Sequence, residues 1–224
     1  MTRNVVISGA NRGIGLELCR RFRDRGDHVV ALCRTAGAQL DRLGVQVLEG
    51  IDVTVRSSLT TLIRQVELPR VDILINNAGV LFPDRLDSLD DEGIERMRTQ
   101  FDVNALGPLN LTLAMKPALA TGSKVIIVTS RMGSMADNTS GGQYGYRASK
   151  AAVNMIGRSL AHDLADEGIA VSLIHPGYVR TDMTGGEGLV NADEAAGNIV
   201  DRIDWVSMDN TGQFFHANGD TLPW

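Results

Sequence analysis

The chain has 224 residues, 43% of them hydrophobic and 22% charged, an ordinary balance for a globular domain. Its net charge of −5 argues against nucleic acid or an anionic membrane surface as a main partner. No run approaches the roughly 18 apolar residues of a membrane span. The opening MTRNVVISGANRG lacks the apolar core and cleavage site of a secretory signal, so a cytoplasmic protein is expected.

Val5-Val6-Ile7 predicts a first strand, and Ile14, Leu18 and Phe22 repeat at helical spacing until Gly26 supplies a stop. Between them lies Ser8-Gly9-Ala10-Asn11-Arg12-Gly13-Ile14-Gly15. Glycines at a strand–helix junction let the backbone turn sharply and approach a pyrophosphate, which the helix N-terminus attracts. Gly9, Asn11, Arg12, Gly13, Ile14 and Gly15 are therefore candidate dinucleotide contacts. His28 to Cys33 is a second strand. Where an acidic residue would hold a ribose 2′-hydroxyl, the chain has Arg34. With Arg12 it suits a 2′-phosphate and so NADP(H) over NAD(H); the alternative is two solvated arginines.

Val45 to Leu48 is a third strand. Beyond it, Asp52 and Val53 are placed near an adenine, although Asp52 serves equally as a cap. Thr54 or Ser57 opens a helix carrying Leu59, Leu62, Ile63 and Val66. Val71 to Ile75 is a fourth strand, followed by Asn76-Asn77-Ala78-Gly79. Asn76 is read as both cofactor-facing and structural, with Ala78 and Gly79 as neighbours of the ligand. A helical stretch runs from about Asp90 to Leu119, interrupted at Gly107-Pro108. Lys124 to Thr129 is a fifth strand, Tyr144 to about Asp166 a helix closed by Gly168, and Ile169 to Ile174 a sixth strand. Pro176-Gly177-Tyr178-Val179-Arg180-Thr181-Asp182-Met183 then forms a turn, and Gly-rich residues 183–191 a short lid. Asn191 or Asp193 opens a last helix to about Ile203, and Gln213 to His216 is a final strand.

Strands apolar on both faces, alternating with helices, predict a single α/β domain over residues 1–224: a Rossmann-type, doubly wound parallel sheet. Within it, Tyr146-Arg147-Ala148-Ser149-Lys150 sets a phenol and an ammonium one helical turn apart. A neighbouring cation lowers a phenol's pKa, which points to proton transfer near neutral pH. Cys19 and Cys33 form no metal or redox spacing, and no metal site is expected. His162, His175 and His216 have no nucleophile elbow to serve.

Residues 8–15, Asn76 to Gly79, Val103-Asn104-Ala105-Leu106-Gly107, Thr129-Ser130, Tyr146 to Lys150 and Pro176-Gly177 occur in the order found in short-chain dehydrogenase/reductases, a resemblance spanning nearly the whole chain. Ser130 to Ser134, Gly141 to Lys150 and Asn218-Gly219-Asp220-Thr221-Leu222-Pro223-Trp224 resemble the C-factor and sniffer-type carbonyl reductases. The resemblance implies a catalytic set of Asn104, Ser130, Tyr146 and Lys150. Tyr146 gives or takes the proton, Lys150 tunes it and binds the nicotinamide ribose, Ser130 polarises the substrate oxygen, and Asn104 holds a water. Pro176, Gly177, Val179 and Thr181 would meet the nicotinamide. Ser134 competes with Ser130, and Tyr144 with Tyr146 but without a lysine four residues on. Tyr178, Met132, Gln143 and Met183 are candidate pocket walls.

An NADP(H)-dependent oxidoreductase acting on a small carbonyl or alcohol is expected, as a homodimer or homotetramer that pairs through Leu109, Leu113, Val153 and Ile156. The rival is a non-catalytic NADP(H)-binding sensor or a signalling factor of the C-factor type.

Overall fold

A computed structural model describes residues 2–57, 59–60 and 69–224. Seven strands form one parallel sheet: β1 (Asn4–Ser8), β2 (His28–Leu32), β3 (Gln46–Leu48), β4 (Val71–Asn76), β5 (Leu119–Val128), β6 (Ala170–His175) and, for the seventh, β9 (Phe214–His216). Their order is β3-β2-β1-β4-β5-β6-β9. β7 (Val179–Arg180) and β8 (Val190–Asn191) pair separately and bracket the expected lid.

The strand sequences are apolar on both faces because both faces are covered. Val5 and Ile7 of β1 pack into one core with Leu18 and Phe22 of α1 (Gly13–Asp24) and Ile199 and Ile203 of the last helix (Ala192–Trp205). Val6, one residue on, joins the opposite core with Leu111 and Val153, as the two-residue period of a strand requires. A four-residue helix α2 (Ala38–Asp41) leads towards β3. Further α-helices are α3 (Asp91–Phe101), α4 (Gly107–Met115) and α5 (Tyr144–Asp163), with the last helix labelled α6. β1 pairs with β2 on one side and β4 on the other, so the order reverses there and a crevice opens beyond the carboxyl ends. Among the described residues, no helix is long and apolar enough to cross a membrane.

Three differences from the sequence reading have physical causes. β5 starts at Leu119, five residues early, because its pairing with β4 skips from Val71↔Leu119 to Ile73↔Lys124. Thr121 and Gly122 bulge in this gap, and Ser123 Oγ closes it by donating to the Val71 carbonyl at 2.7 Å. The helical stretch is not cut at Gly107-Pro108 but widens just before it. Asp102–Leu106 is one π-helical turn in which the Gly107 N–H reaches back to the Asp102 carbonyl. Pro108 has no N–H to offer the Asn104 carbonyl, so the ordinary bond cannot form at that point. Val153 is fully buried against the sheet and Leu109 and Ile156 pack partly into the same core, leaving Leu113, 40% exposed, as the one outward residue of that expected partner-facing set. The helix expected around Leu59 to Val66 lies largely outside the described residues.

Candidate active site

A cleft of about 440 Å³ runs along the carboxyl ends of β1, β2, β4 and β5. Gly9 and Gly13, with φ of +64° and +53°, make the turn from β1 into α1. Asn77 Nδ2 donates to the carbonyls of Ser8 and Gly9, both at 3.1 Å, while Ser8 Oγ accepts the N–H groups of Asn77 and Ala78. β1 and β4 are thereby clipped together at the mouth. α1 begins with no side-chain cap and no acidic residue in its first turn, and Gly13 and Ile14 line the cleft. An uncapped helix N-terminus facing a cavity fits an anionic group such as a pyrophosphate.

Of the residues proposed for the cofactor, Gly9, Asn11, Arg12, Gly13, Ile14, Arg34, Asp52, Val53, Ala78, Gly79, Pro176 and Thr181 border this cleft. Gly15, Asn76, Gly177 and Val179 do not. Gly15 lies behind the loop, where an added Cβ would sit 2.2 Å from the Gly9 carbonyl oxygen. Asn76 is the last residue of β4 and faces the other way, donating to Thr112 Oγ1 at 3.2 Å; Asn77, one residue on, takes the cleft side. Only the structural half of the Asn76 expectation matches its position. Val179 is buried in the β7–β8 pair, and Gly177 turns beside His216. Asp52 borders the cleft and also caps the next turn, accepting the N–H and hydroxyl of Thr54 at 2.9 and 2.7 Å. Arg12 is exposed and reaches across the mouth to Asp182, just before the lid, at 3.1 Å. Arg34 is exposed at the cleft edge and makes no ion pair among the described residues. Of the four pocket-wall candidates, Met183 borders the cleft, while Gln143 lies at the start of α5 with φ +54°.

Tyr146 and Lys150 stand on one face of α5 and close the inner end of the cleft, only 8% and 5% exposed. Lys150 Nζ is 5.7 Å from the Tyr146 ring centroid and donates to the Val128 carbonyl at 3.1 Å. Gly133 lets the loop after β5 press against this helix, since a Cβ there would meet Lys150 backbone atoms at 2.6 Å. The loop's Ser130 hydroxyl accepts the Met132 N–H at 3.1 Å and lies near enough to the Tyr146 phenol to lower its pKa. Ser134 instead accepts the Asp137 N–H and is buried in its own turn, and Tyr144 is 38% exposed.

Burial dominates the electrostatics. The Tyr146 phenol is pushed up to about 12 by desolvation, with the Ser130 hydroxyl pulling the other way. The sequence predicts a fall driven by Lys150, but Lys150 points its ammonium at Val128 and is itself pushed down to about 8 by burial. The resting site is a neutral phenol beside a serine hydroxyl, with a weakly held ammonium behind it.

Asn104 is fully engaged through its side chain. Its Oδ1 accepts the Val80 N–H at 2.8 Å, and its Nδ2 donates to the Val80 carbonyl at 2.8 Å and Ser149 Oγ at 3.1 Å. Ser149 Oγ in turn donates to the Tyr146 carbonyl at 2.8 Å. The amide therefore braces the site. Gln100 makes a matching pair of bonds to Phe82. Neither Asn77 nor Gln100 was identified from the sequence: Asn77 stood inside a recognised motif beside the residue chosen, and Gln100 carries no local signal.

His175 and His216 meet edge to face at 4.9 Å, and burial holds His175 down at about 3, neutral across the working range. Among the described residues, no cluster of three His, Cys, Asp or Glu is placed to hold a metal.

The short chain dehydrogenase family model matches residues 3–189. The chain is 41% identical to the 1-hydroxy-2-glutathionyl-2-methyl-3-butene dehydrogenase of Rhodococcus sp., covering 98% of this chain and 99% of that one. It is 46% identical to the C-signal protein of Myxococcus xanthus over 69% of this chain and 93% of that one. Two solved structures overlay closely, each at 27% identity: the carbonyl reductase Sniffer of D. melanogaster (TM-score 0.92, all of both chains) and an NADPH-bound carbonyl reductase from chicken fatty liver (TM-score 0.89, 100% of this chain and 99% of that one). With this sheet order and cleft, the match places the chain in the short-chain dehydrogenase/reductase family, as an oxidoreductase.

Proposed function

We propose that the chain is an NADP(H)-dependent carbonyl reductase, also working in reverse as an alcohol dehydrogenase, with Tyr146 as general acid and base. The observation that carries this reading is the buried Tyr146 phenol at the inner end of the cleft, near enough to Ser130 for that hydroxyl to lower its pKa, with the Lys150 ammonium 5.7 Å from its ring centroid. A protein that only senses a nucleotide has no use for a desolvated phenol held against a hydroxyl.

When bound, the nicotinamide supplies hydride to a carbonyl carbon or takes it from an alcohol. The N–H groups at the start of α1 would hold the pyrophosphate, Asp52 and Val53 would contact the adenine, and Arg34 would meet the 2′-phosphate. Tyr146 donates its phenolic proton to the substrate oxygen, which the Ser130 hydroxyl orients. The Lys150 ammonium stabilises the phenolate left behind. The Rhodococcus relative acts on an alcohol that bears a glutathionyl group, so a glutathione-conjugated alcohol belongs in the substrate panel beside simple aldehydes, ketones and quinones. NADPH oxidation by the wild type over this panel, and NADP⁺ reduction with the alcohols, test the function. Tight NADPH binding with no turnover in either direction favours the sensor.

Cofactor preference rests on Arg34. Replacing Arg34 by Asp removes a charge-assisted contact and sets a carboxylate against the 2′-phosphate, so NADPH affinity should fall about 10- to 100-fold while NADH affinity holds. Equal affinity of the wild type for NADH and NADPH in a fluorescence titration contradicts the preference.

The pH profile follows from the two shifted groups. Reduction needs the phenol protonated, which an upper value of about 12 secures, and Lys150 protonated, which is lost as pH rises through about 8. The reductive kcat should therefore be level near neutrality and fall with an apparent pKa near 8. A profile with no inflection in that region removes the Lys150 charge from the mechanism.

A further inference from the structure

Val80, Phe82 and Asp84 alternate along a segment that leaves the cleft and runs between α3 and α5. The segment belongs to no sheet, and its backbone groups are met by side chains instead. Asn104 holds both backbone groups of Val80, and Gln100, one helical turn earlier and fully buried, holds both of Phe82 at 3.0 and 3.3 Å. Asp84 ends this ladder. Its carboxylate is buried, accepting the Tyr144 N–H at Oδ1 and the Gly145 N–H at Oδ2, the latter at 3.0 Å. Its carbonyl accepts the Gln143 N–H at 3.1 Å.

Those three N–H groups open α5, where the local sequence offers no cap: Gln143 is left-handed and its side chain bonds none of them. Gly145 is needed for the approach, since a Cβ there would lie 2.4 Å from Gln100 Nε2. A carboxylate on two N–H groups at the positive end of a 20-residue helix is a charge-assisted anchor. At the strap's other end, Gly79 borders the cleft, and a Cβ on it would lie 3.2 Å from Asn104 Oδ1 and 3.8 Å from Lys150 Nζ.

We infer that Asp84 is a positioning residue. Through the strap of residues 80–84 it caps the catalytic helix from outside and fixes the Tyr146 phenol relative to the cofactor edge. The inference rests on the reading of Tyr146 as the proton donor. Tyr146 is the third residue of α5, inside the turn that Asp84 closes, so an uncapped first turn displaces the phenol while leaving the phosphate loop on the far side of β4 in place.

The test compares wild type, Asp84→Ala, Asp84→Asn and Tyr146→Phe on the panel carbonyl that the wild type reduces fastest. Readouts are kcat, NADPH affinity by fluorescence, the solvent deuterium isotope effect on kcat, and amide exchange over residues 144–146. Asp84→Ala should lower kcat on the order of 10- to 100-fold, as a small misplacement of a reacting group does, with NADPH affinity unchanged. Its isotope effect should rise, because proton transfer becomes slower relative to other steps, and amides 144–146 should lose protection. Asp84→Asn keeps one acceptor oxygen and should fall between; it carries the test if the alanine variant does not fold. Wild-type kcat in the alanine variant despite exposed amides overturns the inference, as does a joint loss of kcat and NADPH affinity with an unchanged isotope effect. If Tyr146→Phe keeps its turnover, the general-acid reading falls and this inference with it. If that variant is dead while Asp84→Ala is fully active, this inference alone falls.

Discussion

Tyr146→Phe is expected to cut carbonyl-reduction turnover by roughly 10²- to 10⁴-fold, the usual worth of a positioned general acid, while NADPH still binds. The substitution is nearly isosteric at a site only 8% exposed, so the ring keeps its packing and only the hydroxyl is lost. No charge is lost either. With its pKa pushed up to about 12, the phenol is neutral at the assay pH, and replacing it leaves the charge on Lys150 without a new or missing neighbour. A fall in kcat at constant NADPH affinity is then assignable to the missing proton and the missing partner of Ser130. Stopped-flow or steady-state NADPH oxidation, paired with a binding titration, reads both quantities. Turnover that survives the substitution sinks the assignment, and Tyr144, 38% exposed at the head of the same helix, would not replace it without moving.

The sheet was legible in the sequence because parallel strands buried on two faces write an unbroken apolar run, as Val5-Val6-Ile7 and Val125 to Val128 do. The turn between β1 and α1 was legible because its glycines follow a strand and precede a helix. The place of Ser130 just after the fifth strand singled it out over Ser134, while the role expected of Asn104 came from resemblance alone. The failures share a cause. Asn76 and Asn77 are adjacent and identical in chemistry, and only the strand's face alternation decides which one sees the cleft. Lys150 was expected to depress the phenol pKa through charge, yet desolvation of both groups sets the direction, and burial is not written in a Y-x-x-x-K spacing. Asp84 and Gln100 act across about 60 and 18 residues of chain, where local pattern carries no information.

Gly15→Ala sets helix propensity against packing, and packing should win. Alanine is the better helix former by about 1 kcal/mol, and Gly15 is not at a positive φ, so the backbone itself would accept the change. The obstacle is space. The new Cβ would lie 2.2 Å from the Gly9 carbonyl oxygen and 2.6 Å from Asn77 Nδ2, and neither atom is the end of a free side chain. The first is backbone of the turn between β1 and α1; the second is committed to the carbonyls of Ser8 and Gly9. Relief requires α1 to back away from β1 or the Asn77 clip to break, and either movement withdraws the α1 N–H groups from the cleft. Stability should drop by roughly 2–4 kcal/mol, in the range of overpacked sites that also lose hydrogen bonds, and NADPH binding should disappear. Urea unfolding and a fluorescence titration measure the two effects separately. A variant that is destabilised yet binds NADPH normally would mean that the turn between β1 and α1 is structural and that the dinucleotide is held elsewhere along the cleft. Loss of binding in protein still folded at the assay temperature ties the ligand to this turn.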